Sequence, residues 1–509
     1  MNAALITPWS SEYVDYLRDE SRSVGSADYV SFPLTEEDVI DVIKSTAESG
    51  IAVTTQGART GIVAGAVPQG GLVLNLSRMK HIGEIVRDDQ TGELSITAAP
   101  GVTLAEIMDA IEPYGLFFPP NPTEDTASVG GMVAANASGS LSFFYGAVRN
   151  WVRSLHIVLS DGDVLCLRRG SIFADGRTFS LPTESGRKIT GTLPSYRQPN
   201  VKSAAGYYIA DDMDMLDLFI GMEGTLGVIT EIELRLIPKP RAVGGLTIFF
   251  PSENDAVKFV RVVRGEQVDG LVSPIIRPVA IEFFNNDALN LLRRMKSDYS
   301  AFGNIPSIKP HYHTAVNIEF HAESADALDE LLIDMVEMLS VLGVSDEDTW
   351  YAANENELKS QKAFRHAVPE AVNMLIDERR RSVPGITKLG TDMSVPDEYL
   401  TAAMEMYNEG LRASGLESVI FGHIGDSHLH VNILPNSTEE YKRGRELYLE
   451  WARRVVEMGG SISAEHGIGK LKSAFLEMMY GCEAIKEMRE LKRLFDPEMR
   501  LNPGTLFSL

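Results

Sequence analysis

Residues 128–139 read Ser-Val-Gly-Gly-Met-Val-Ala-Ala-Asn-Ala-Ser-Gly, and nearly every side chain in this stretch is small. Small side chains let the backbone approach another surface closely. The stretch therefore predicts either tight packing against a neighbouring element or a cradle whose backbone N–H groups hold a phosphate. A glycine-rich stretch alone does not decide between these interpretations. The run before it, Phe118–Thr123, contains three prolines and is not expected to form regular structure.

Short strands and helices alternate around this stretch. The run Thr35–Asp38 predicts a helix start, because its acidic side chains complement the helix dipole. Ile51–Thr55 is expected to be a buried strand, and Gln56–Gly61 follows it as a glycine-bearing turn. The polar stretch Arg168–Gln198 predicts a long surface excursion, and the two prolines of Pro238–Pro240 predict a domain boundary. This alternation is typical of an α+β or α/β domain.

The second half of the chain predicts an antiparallel sheet covered by helices. Strands are expected at Gly244–Phe250, Ala280–Phe284 and Thr314–His321, with helices at Glu253–Gly265 and Ser324–Leu342. The order strand, helix, strand, strand, helix favours antiparallel pairing. We therefore expect an α+β fold with four parts: a helical lead-in (1–30), a first domain (31–240), a second domain (241–455) and a C-terminal segment (456–509).

Composition restricts the class of protein. The chain of 509 residues is 44% hydrophobic and 23% charged, as soluble globular proteins are. Its net charge of −24 argues against nucleic acid and anionic membranes as partners, and an anionic substrate would need local cations. Two cysteines, Cys166 and Cys482, are too few for a disulfide framework, so we expect both to be buried in a reducing compartment. With no secretory leader and no apolar run that could span a bilayer, the sequence predicts a cytoplasmic protein.

A second group of motifs contains metal-binding residue types. Phe421–Asn432 supplies His423 and His430, and Ser463–Gly469 supplies Glu465, in a chain with ten histidines. Two imidazoles and one carboxylate, with a position left open, are the ligand set of a catalytic divalent metal. On spacing alone the alternative to a metal site remains open, because this is not a standard short metal motif. In that alternative there are three unrelated histidines, two in the core and one on the surface.

The strand that carries His430 is predicted to run over Leu429–Leu434. Asn432 lies two residues after His430, so both side chains share one face. His428 is expected to be a turn residue before the strand and not a ligand.

Four separated segments resemble the FAD-linked oxidases that have a vanillyl-alcohol-oxidase/PCMH-type FAD-binding domain. They are Gln56–Gly61, Pro122–Gly139, Glu223–Thr230, and Phe421–Asn432 with Glu465–Gly469. Within that family the chain is similar to D-lactate dehydrogenases, the glycolate oxidase large subunit and D-2-hydroxyglutarate dehydrogenase. The resemblance extends over nearly the whole chain, and four motifs in the family's order are far more specific than one loop.

The resemblance implies an FAD-binding domain of two subdomains in the first half. The first loop lacks the histidine that covalent flavoproteins have there, so FAD is expected to be held without a covalent bond. The cofactor-binding residues that the resemblance implies are Gln56, Gly57, Ala58, Arg59, Thr60, Gly61, Pro122, Thr123, Ser128, Gly130, Gly131, Ala134, Asn136, Ser138, Gly139, Glu223, Gly224, Val228, Ile229 and Asn502.

The second half would then be a substrate cap domain, with the C-terminal segment returning to the flavin to complete the active site. The implied reaction oxidises a 2-hydroxy acid, such as D-lactate, glycolate or D-2-hydroxyglutarate, to the 2-oxo acid by hydride transfer to flavin N5. His423, His430 and Glu465 would hold the metal, with zinc expected and manganese, iron or cobalt as alternatives. His466 would be the general base, beside Asn432 as a further polar site group.

Two further residues are implied to bind the substrate. Arg365 would clamp its carboxylate, with a solvated helix cation as the bland alternative. Lys388 is displaced by two residues from the lysine of the hydroxyglutarate branch, and Pro369 replaces a threonine of that branch. Both departures weaken the case for a second substrate carboxylate.

Electrons must leave the reduced flavin for a separate acceptor, such as an electron-acceptor protein or an iron–sulfur subunit, because the chain has no cysteine cluster. Arg168–Gln198 is either a docking surface for that partner or a mobile loop, and contact with a membrane through the partner stays open. The family is also compatible with a homodimer.

Three other functions remain as alternatives. One is an FAD-dependent transferase of the alkylglycerone-phosphate synthase type, which would need a phosphate site and a histidine cluster that the sequence does not display. Another is a partner-dependent subunit of a multi-subunit oxidase that has lost its chemistry. The third is a metal-free oxidase of a larger alcohol or sugar.

Overall fold

The computed structural model describes residues 5–508 apart from residues 269, 272, 275 and 353. The strands of the first half are β1 (Thr7–Pro8), β2 (Tyr29–Ser31), β3 (Val53–Gln56), β4 (Leu72–Asn75), β5 (Ile82–Arg87), β6 (Leu94–Ala98), β7 (Leu116–Phe117), β8 (Val152–Val158), β9 (Val164–Arg168), β10 (Thr178–Pro182), β11 (Lys188–Thr192) and β12 (Val228–Pro238). Its helices are α1 (Glu36–Glu48), α2 (Leu104–Ile111), α3 (Val129–Ala134) and α4 (Ser142–Tyr145).

The strands of the second half are β13 (Ala242–Phe250), β14 (Ala280–Phe284), β15 (Thr314–Ala322), β16 (Thr349–Ala352), β17 (Leu389–Gly390), β18 (Met393–Ser394), β19 (Ser418–Gly422) and β20 (His428–Ile433). Its helices are α5 (Glu253–Val263), α6 (Asn286–Asp298), α7 (Ala325–Val341), α8 (Glu355–Ser382), α9 (Leu400–Ser414), α10 (Thr438–Glu457) and α11 (Ser473–Phe495). Short 3₁₀ turns span Ser11–Leu17, Leu76–Arg78, Glu112–Tyr114, Val148–Trp151, Met215–Phe219, Ser300–Phe302, Asp346–Asp348, Asp397–Tyr399 and Ile424–Asp426.

Two sheets carry the first half. A four-stranded sheet has the order β1-β2-β4-β3, with β4 parallel to both β2 and β3. A larger antiparallel sheet has the order β5-β6-β12-β8-β9, with β7 also paired to β12. Helix α1 begins with a capping box in which Thr35 and Asp38 satisfy each other's free N–H groups. Helix α3, which opens the small-residue stretch, begins at Ser128, whose side chain accepts the N–H of Gly131.

An eight-stranded sheet carries the second half, in the order β16-β13-β15-β14-β19-β20-β17 with β18 also paired to β20. Every strand pair described in it is antiparallel, which confirms the predicted antiparallel sheet and the α+β class. Alternate residues of its strands pack on opposite faces, since side chains alternate along a strand. Phe249 and Phe284 pack with α6 and α8, whereas Ile248 and Phe283 belong to the larger core that contains α5 and α7.

The C-terminal segment returns to the first half. The Nζ of Lys492 donates hydrogen bonds to the carbonyl oxygens of Thr225 (2.6 Å) and Leu501 (2.9 Å) and to the Asp496 carboxylate (2.7 Å). The side chains of Lys492 and Asp496 are 2% and 0% exposed, so this ion pair is buried. Asn502 continues the contact, because its N–H donates to the carbonyl of Val53, the first residue of β3.

Several local predictions were wrong. The lead-in is not simply helical, because β1 pairs with β2 before the 3₁₀ turn at Ser11–Leu17. Arg168–Gln198 is not a plain surface excursion, because it contains the hairpin β10–β11, and Phe179 of that hairpin stacks on Phe495 at 6.2 Å.

Both cysteines are exposed rather than buried. Cys166 occupies an outward-facing position in the alternation of β9, and Cys482 follows a kink at Gly481 in α11. Among the described residues, no helix is long and apolar enough to cross a membrane.

The buried ion pair Lys492–Asp496 is expected to stabilise α11 in its place against the first half of the chain. Lys492→Met should lower the opening free energy of α11 by about 3–5 kcal/mol, because it leaves the Asp496 carboxylate buried without a counter-ion. Hydrogen–deuterium exchange of the α11 amides measures this change. Lys486→Met, an exposed lysine of the same helix, is the matched control, and equal exchange in both variants would contradict the assignment.

Candidate active site

A cleft of about 390 Å³ is lined by loops of the first half and by residues of the second. One part of its wall is made by residues from three stretches of the first half, within 55–66, 122–139 and 222–229. His423, Glu465 and His466 contribute another part of the same wall. The structure therefore brings the small-residue loops to one cavity with two predicted metal ligands, His423 and Glu465, and the predicted base His466.

Most of the predicted cofactor-binding residues line this cleft, and two do not. Asn136 does not, because its side chain accepts the N–H of Arg149 at 3.1 Å. Val228 does not, because it pairs with Val158 in the sheet and is fully buried. The cleft is also lined by Asp19 of the lead-in, which the motifs did not indicate.

The glycines of the loops differ in the space around them, so tight packing explains some of them and not others. A Cβ at Gly139 would lie 1.9 Å from the carbonyl oxygen of Asn121, and one at Gly57 would lie 2.0 Å from Ser128 Oγ. At these positions glycine serves tight packing. A Cβ at Gly61 would meet no atom within 4 Å, although Gly61 lines the cleft, so the small residue there keeps the cleft open. A cleft with backbone at its wall fits an elongated cofactor that carries phosphates.

Glu223 joins the loop of residues 465–469 to this wall. Its carboxylate accepts the N–H groups of Ile468 (2.8 Å) and Gly469 (2.7 Å), and its φ of 51° is unusual for a residue with a Cβ. Burial raises the pKa of Glu223 to about 7, although these two N–H groups lower it. Asn502 adds a second link, since its amide donates to the Glu223 carbonyl (2.7 Å) and accepts the N–H of Thr55 (2.7 Å).

His423, His430 and Glu465 form a compact cluster. Glu465 Oε2 lies 3.3 Å from His423 Nε2 and 3.9 Å from His430 Nε2. Each residue of the group His423, His428, His430 and Glu465 offers one ligand atom, and these atoms lie within 4.8 Å of one another. His423 directly follows β19 and His430 lies on the paired strand β20, so strand pairing brings the two imidazoles together.

Hydrogen bonds behind the cluster fix the direction of both imidazoles. His423 Nδ1 donates to Glu282 Oε1 at 2.6 Å, and His430 Nδ1 donates to the carbonyl oxygen of Thr391 at 3.0 Å. Each ring therefore offers Nε2 to the side of Glu465, which is the arrangement by which metal-binding histidines are held. Burial lowers the pKa of His423, but the Glu282 and Glu465 carboxylates raise it to about 10. The donor set fits a divalent cation, and binding one would release a proton from His423.

His428 corrects one prediction. Strand β20 begins at His428, not at Leu429, because His428 pairs with Ser394 of β18. Its ring is fully buried and lies 4.5 Å from the His430 ring, so both share a face. His428 Nε2 lies 3.2 Å from Asp392 Oδ1.

Asp392 is a site residue that the sequence reasoning missed. It is 1% exposed and accepts hydrogen bonds from Lys472 Nζ (2.7 Å), Ser463 Oγ (2.8 Å) and the N–H of His466 (3.1 Å). Burial would raise its pKa, but its contacts with His466 and the Lys472 ammonium hold that pKa well below its usual range. His466 Nδ1 lies 3.1 Å from Asp392 Oδ2, so the carboxylate fixes the orientation of this imidazole at the cleft wall.

The other predicted catalytic residues are placed differently. Arg365 on α8 lies beside the cluster, with Nη1 3.9 Å from Glu282 Oε1, but it does not line the cleft. Asn432 is buried on the His430 face and makes a long contact, 3.5 Å, with the His430 carbonyl. Lys388 lies away from the cleft wall, because its Nζ donates to Asn373 Oδ1 at 2.9 Å.

The histidine cluster that seemed absent from the sequence is present in the fold. His423, His428, His430 and His466 come together, with the rings of His430 and His466 stacked at 5.6 Å. A missing histidine cluster is therefore no argument against the transferase alternative. Glu282 was also missed, although a glutamate inside the predicted buried strand Ala280–Phe284 was a signal that could have found it.

Comparisons with known proteins show the family to which the chain belongs. Residues 27–168 match a family model described as "FAD binding domain", and residues 239–506 match "FAD linked oxidases, C-terminal domain". The chain is 31% identical to a D-lactate dehydrogenase of Anaerostipes hadrus, over 97% of this chain and 92% of the relative. It is 27% identical to the glycolate oxidase subunit GlcD of Bacillus subtilis, over 94% of this chain and 89% of the relative.

A solved structure of similar fold is an alkyldihydroxyacetonephosphate synthase. It is 14% identical and has a TM-score of 0.63, with 99% of this chain and 82% of that chain covered. At 14% identity, this similarity shows a shared fold and does not show a shared function.

The packing of Gly139 predicts a test of the cofactor cradle. Gly139→Ala should lower the fraction of protein purified with FAD, because the added Cβ collides with the Asn121 carbonyl and displaces the loop. The ratio of flavin to protein absorbance measures this fraction. Gly385→Ala, whose Cβ meets no atom within 4 Å, is the control. Full flavin content in Gly139→Ala would contradict the assignment of the loop.

Proposed function

Because the chain belongs to the FAD-linked oxidases, we propose that it is an FAD- and divalent-metal-dependent dehydrogenase that oxidises a 2-hydroxy acid to the 2-oxo acid. One observation carries the proposal. His423 and Glu465 line the same cleft as the small-residue loops, and His430 completes the donor set directly beside them. A cofactor and a substrate held by a cation would therefore be neighbours.

Each residue of the site has a role that its contacts support. Bound FAD would accept the two electrons that leave the substrate, and a divalent cation at the three ligands would polarise the substrate hydroxyl. His466 takes the hydroxyl proton, because its ring reaches the cleft wall while Asp392 holds Nδ1. Glu282 and Thr391 keep the two ligand imidazoles aimed at Glu465.

Recognition of the substrate carboxylate falls to Arg365. In a protein with a net charge of −24, an anionic substrate needs a local cation. Arg365 has the planar guanidinium group that pairs with carboxylates. It lies beside Glu282, the carboxylate that accepts the hydrogen bond of His423 Nδ1. Lys388 bonds Asn373, whereas Arg365 lies beside Glu282 next to the donor set, so one cation instead of two is near the site; this favours a small acid with one carboxylate, such as lactate or glycolate, over hydroxyglutarate.

The transferase alternative is supported by fold alone. The synthase is 14% identical to the chain, whereas the relatives named as a D-lactate dehydrogenase and a glycolate oxidase subunit are 31% and 27% identical. The complete ligand set, with His466 and Asp392 beside it, argues against a subunit without chemistry. A separate acceptor takes the electrons from the reduced flavin.

Flavin reduction under anaerobic conditions tests the reaction class. Zinc-loaded protein is mixed with glycolate and with the D and L forms of lactate and 2-hydroxyglutarate, and the flavin absorption band is followed. We expect one small 2-hydroxy acid to bleach the band and the matching 2-oxo acid to form. If no acid bleaches flavin in protein that holds both FAD and zinc, the dehydrogenase proposal is wrong and the transferase takes its place.

Removal of one metal ligand tests the role of the cation. His430→Ala should lose bound zinc and at least about a hundredfold in turnover while it keeps FAD, since second-sphere changes alone cost 10–100-fold. Elemental analysis and flavin absorbance measure the two cofactors separately. His311→Ala, a histidine with 64% of its side chain exposed, is the control. Wild-type turnover in His430→Ala would exclude a metal mechanism.

A further inference from the structure

Lys202 is a buried cation next to the proposed metal ligand Glu465. Both side chains are 10% exposed. Lys202 lies between residues 27–168 and 239–506, so it falls outside both ranges that match the family models. A lysine is seldom buried unless its charge is paired, so its contacts indicate its role.

The contacts of Lys202 converge on one oxygen of Glu465. Lys202 Nζ donates a short hydrogen bond to Glu465 Oε1, and Ser138 Oγ donates to the same oxygen at 3.0 Å. The other oxygen, Oε2, faces His423 Nε2 at 3.3 Å and His430 Nε2 at 3.9 Å. The two carboxylate oxygens therefore have separate partners.

Lys202 also fixes the turn between the two ligand histidines. Its Nζ lies 3.1 Å from Asp426 Oδ2, in the turn between His423 and His430. The backbone of the lysine is anchored, because its carbonyl accepts Ser394 Oγ at 2.6 Å and the N–H of Ala204 bonds the Ser463 carbonyl at 2.8 Å. These backbone contacts fix the position from which the Lys202 side chain extends, between the loops that carry the three proposed ligands.

We propose that Lys202 is a positioning residue that holds Glu465 as a ligand through Oε2 alone. With Oε1 engaged by Lys202 and Ser138, the carboxylate would offer a cation one oxygen instead of two. This would leave the cation free to take the hydroxyl and carboxylate oxygens of a chelating substrate, as catalytic metal sites require. This inference rests on the proposed function, because it concerns the same metal site.

Removing Lys202 would change the metal affinity in opposite directions according to its role. A measurement of metal affinity therefore distinguishes a purely electrostatic role from a positioning role. If Lys202 acted only through its charge, a neutral residue would tighten binding of a dication, because repulsion between like charges would disappear. If it positions Glu465, the neutral residue weakens binding, because the ligand oxygen loses its orientation. Loss of such outer contacts typically costs 10–100-fold in metal affinity.

The test is the zinc affinity of FAD-loaded protein, measured by competition with a chromophoric chelator. Lys202→Met should bind zinc about 10–100-fold more weakly than the wild type while it keeps its flavin absorbance. Ser138→Ala should weaken zinc binding less, and Lys202→Arg should recover part of the loss, because it keeps a donor for Oε1. Lys188→Met, an exposed lysine on β11, is the matched control.

Each other result has a defined meaning. Zinc binding by Lys202→Met as tight as, or tighter than, that of the wild type overturns the proposal. If Lys202→Met does not retain FAD, Ser138→Ala carries the test, and unchanged zinc affinity in that variant overturns the proposal. A wild-type protein that binds no zinc refutes the proposed metal site itself, which is a different failure.

Discussion

The carboxylate of Glu223 accepts the backbone N–H groups of Ile468 and Gly469, and the candidate site depends on this contact. The first half of the chain supplies the small-residue loops of the cleft, the second half supplies His423 and His430, and the loop after Ser463 contacts both. Glu223 anchors that loop to the first half, and Asp392 of the second half accepts the N–H groups of Glu465 and His466. With both anchors in place, Glu465 faces His423 and His466 reaches the cleft. The left-handed backbone of Glu223 is a local strain that the surrounding contacts maintain.

Opposite charges organise the site at close range. The acidic side chains Glu282, Asp392, Asp426 and Glu465 lie among Lys202, Arg365, Lys472 and the histidine rings. Buried charges of one sign would be unfavourable alone, and each carboxylate here has a cationic or N–H partner. The network also assigns different tasks to similar groups. Glu282 and Asp392 orient histidines, whereas Oε2 of Glu465 faces the imidazoles of His423 and His430, where we propose that a cation binds.

The sequence predicted the parts of this arrangement that depend on local pattern. Alternating apolar runs located β13, β14 and β15, and the glycine-bearing motifs identified most of the cleft wall. It did not predict contacts that come from far along the chain. Lys202 lies more than two hundred residues from its partner Glu465, and Glu282 lies more than one hundred from its partner His423, so no spacing rule links them. His428 was misplaced for a related reason, because its strand is extended by pairing with Ser394, which sequence spacing does not show.

The central claim is that His423, His430 and Glu465 bind a cation in the cleft that holds the flavin. Anomalous diffraction at the zinc absorption edge, from crystals of FAD-loaded protein grown with zinc, tests it most directly. The account predicts one strong peak about 2.0–2.2 Å from His423 Nε2, His430 Nε2 and Glu465 Oε2, with FAD in the same cleft. A flavin-filled cleft with no peak at these three atoms, or with zinc on other residues, would contradict it.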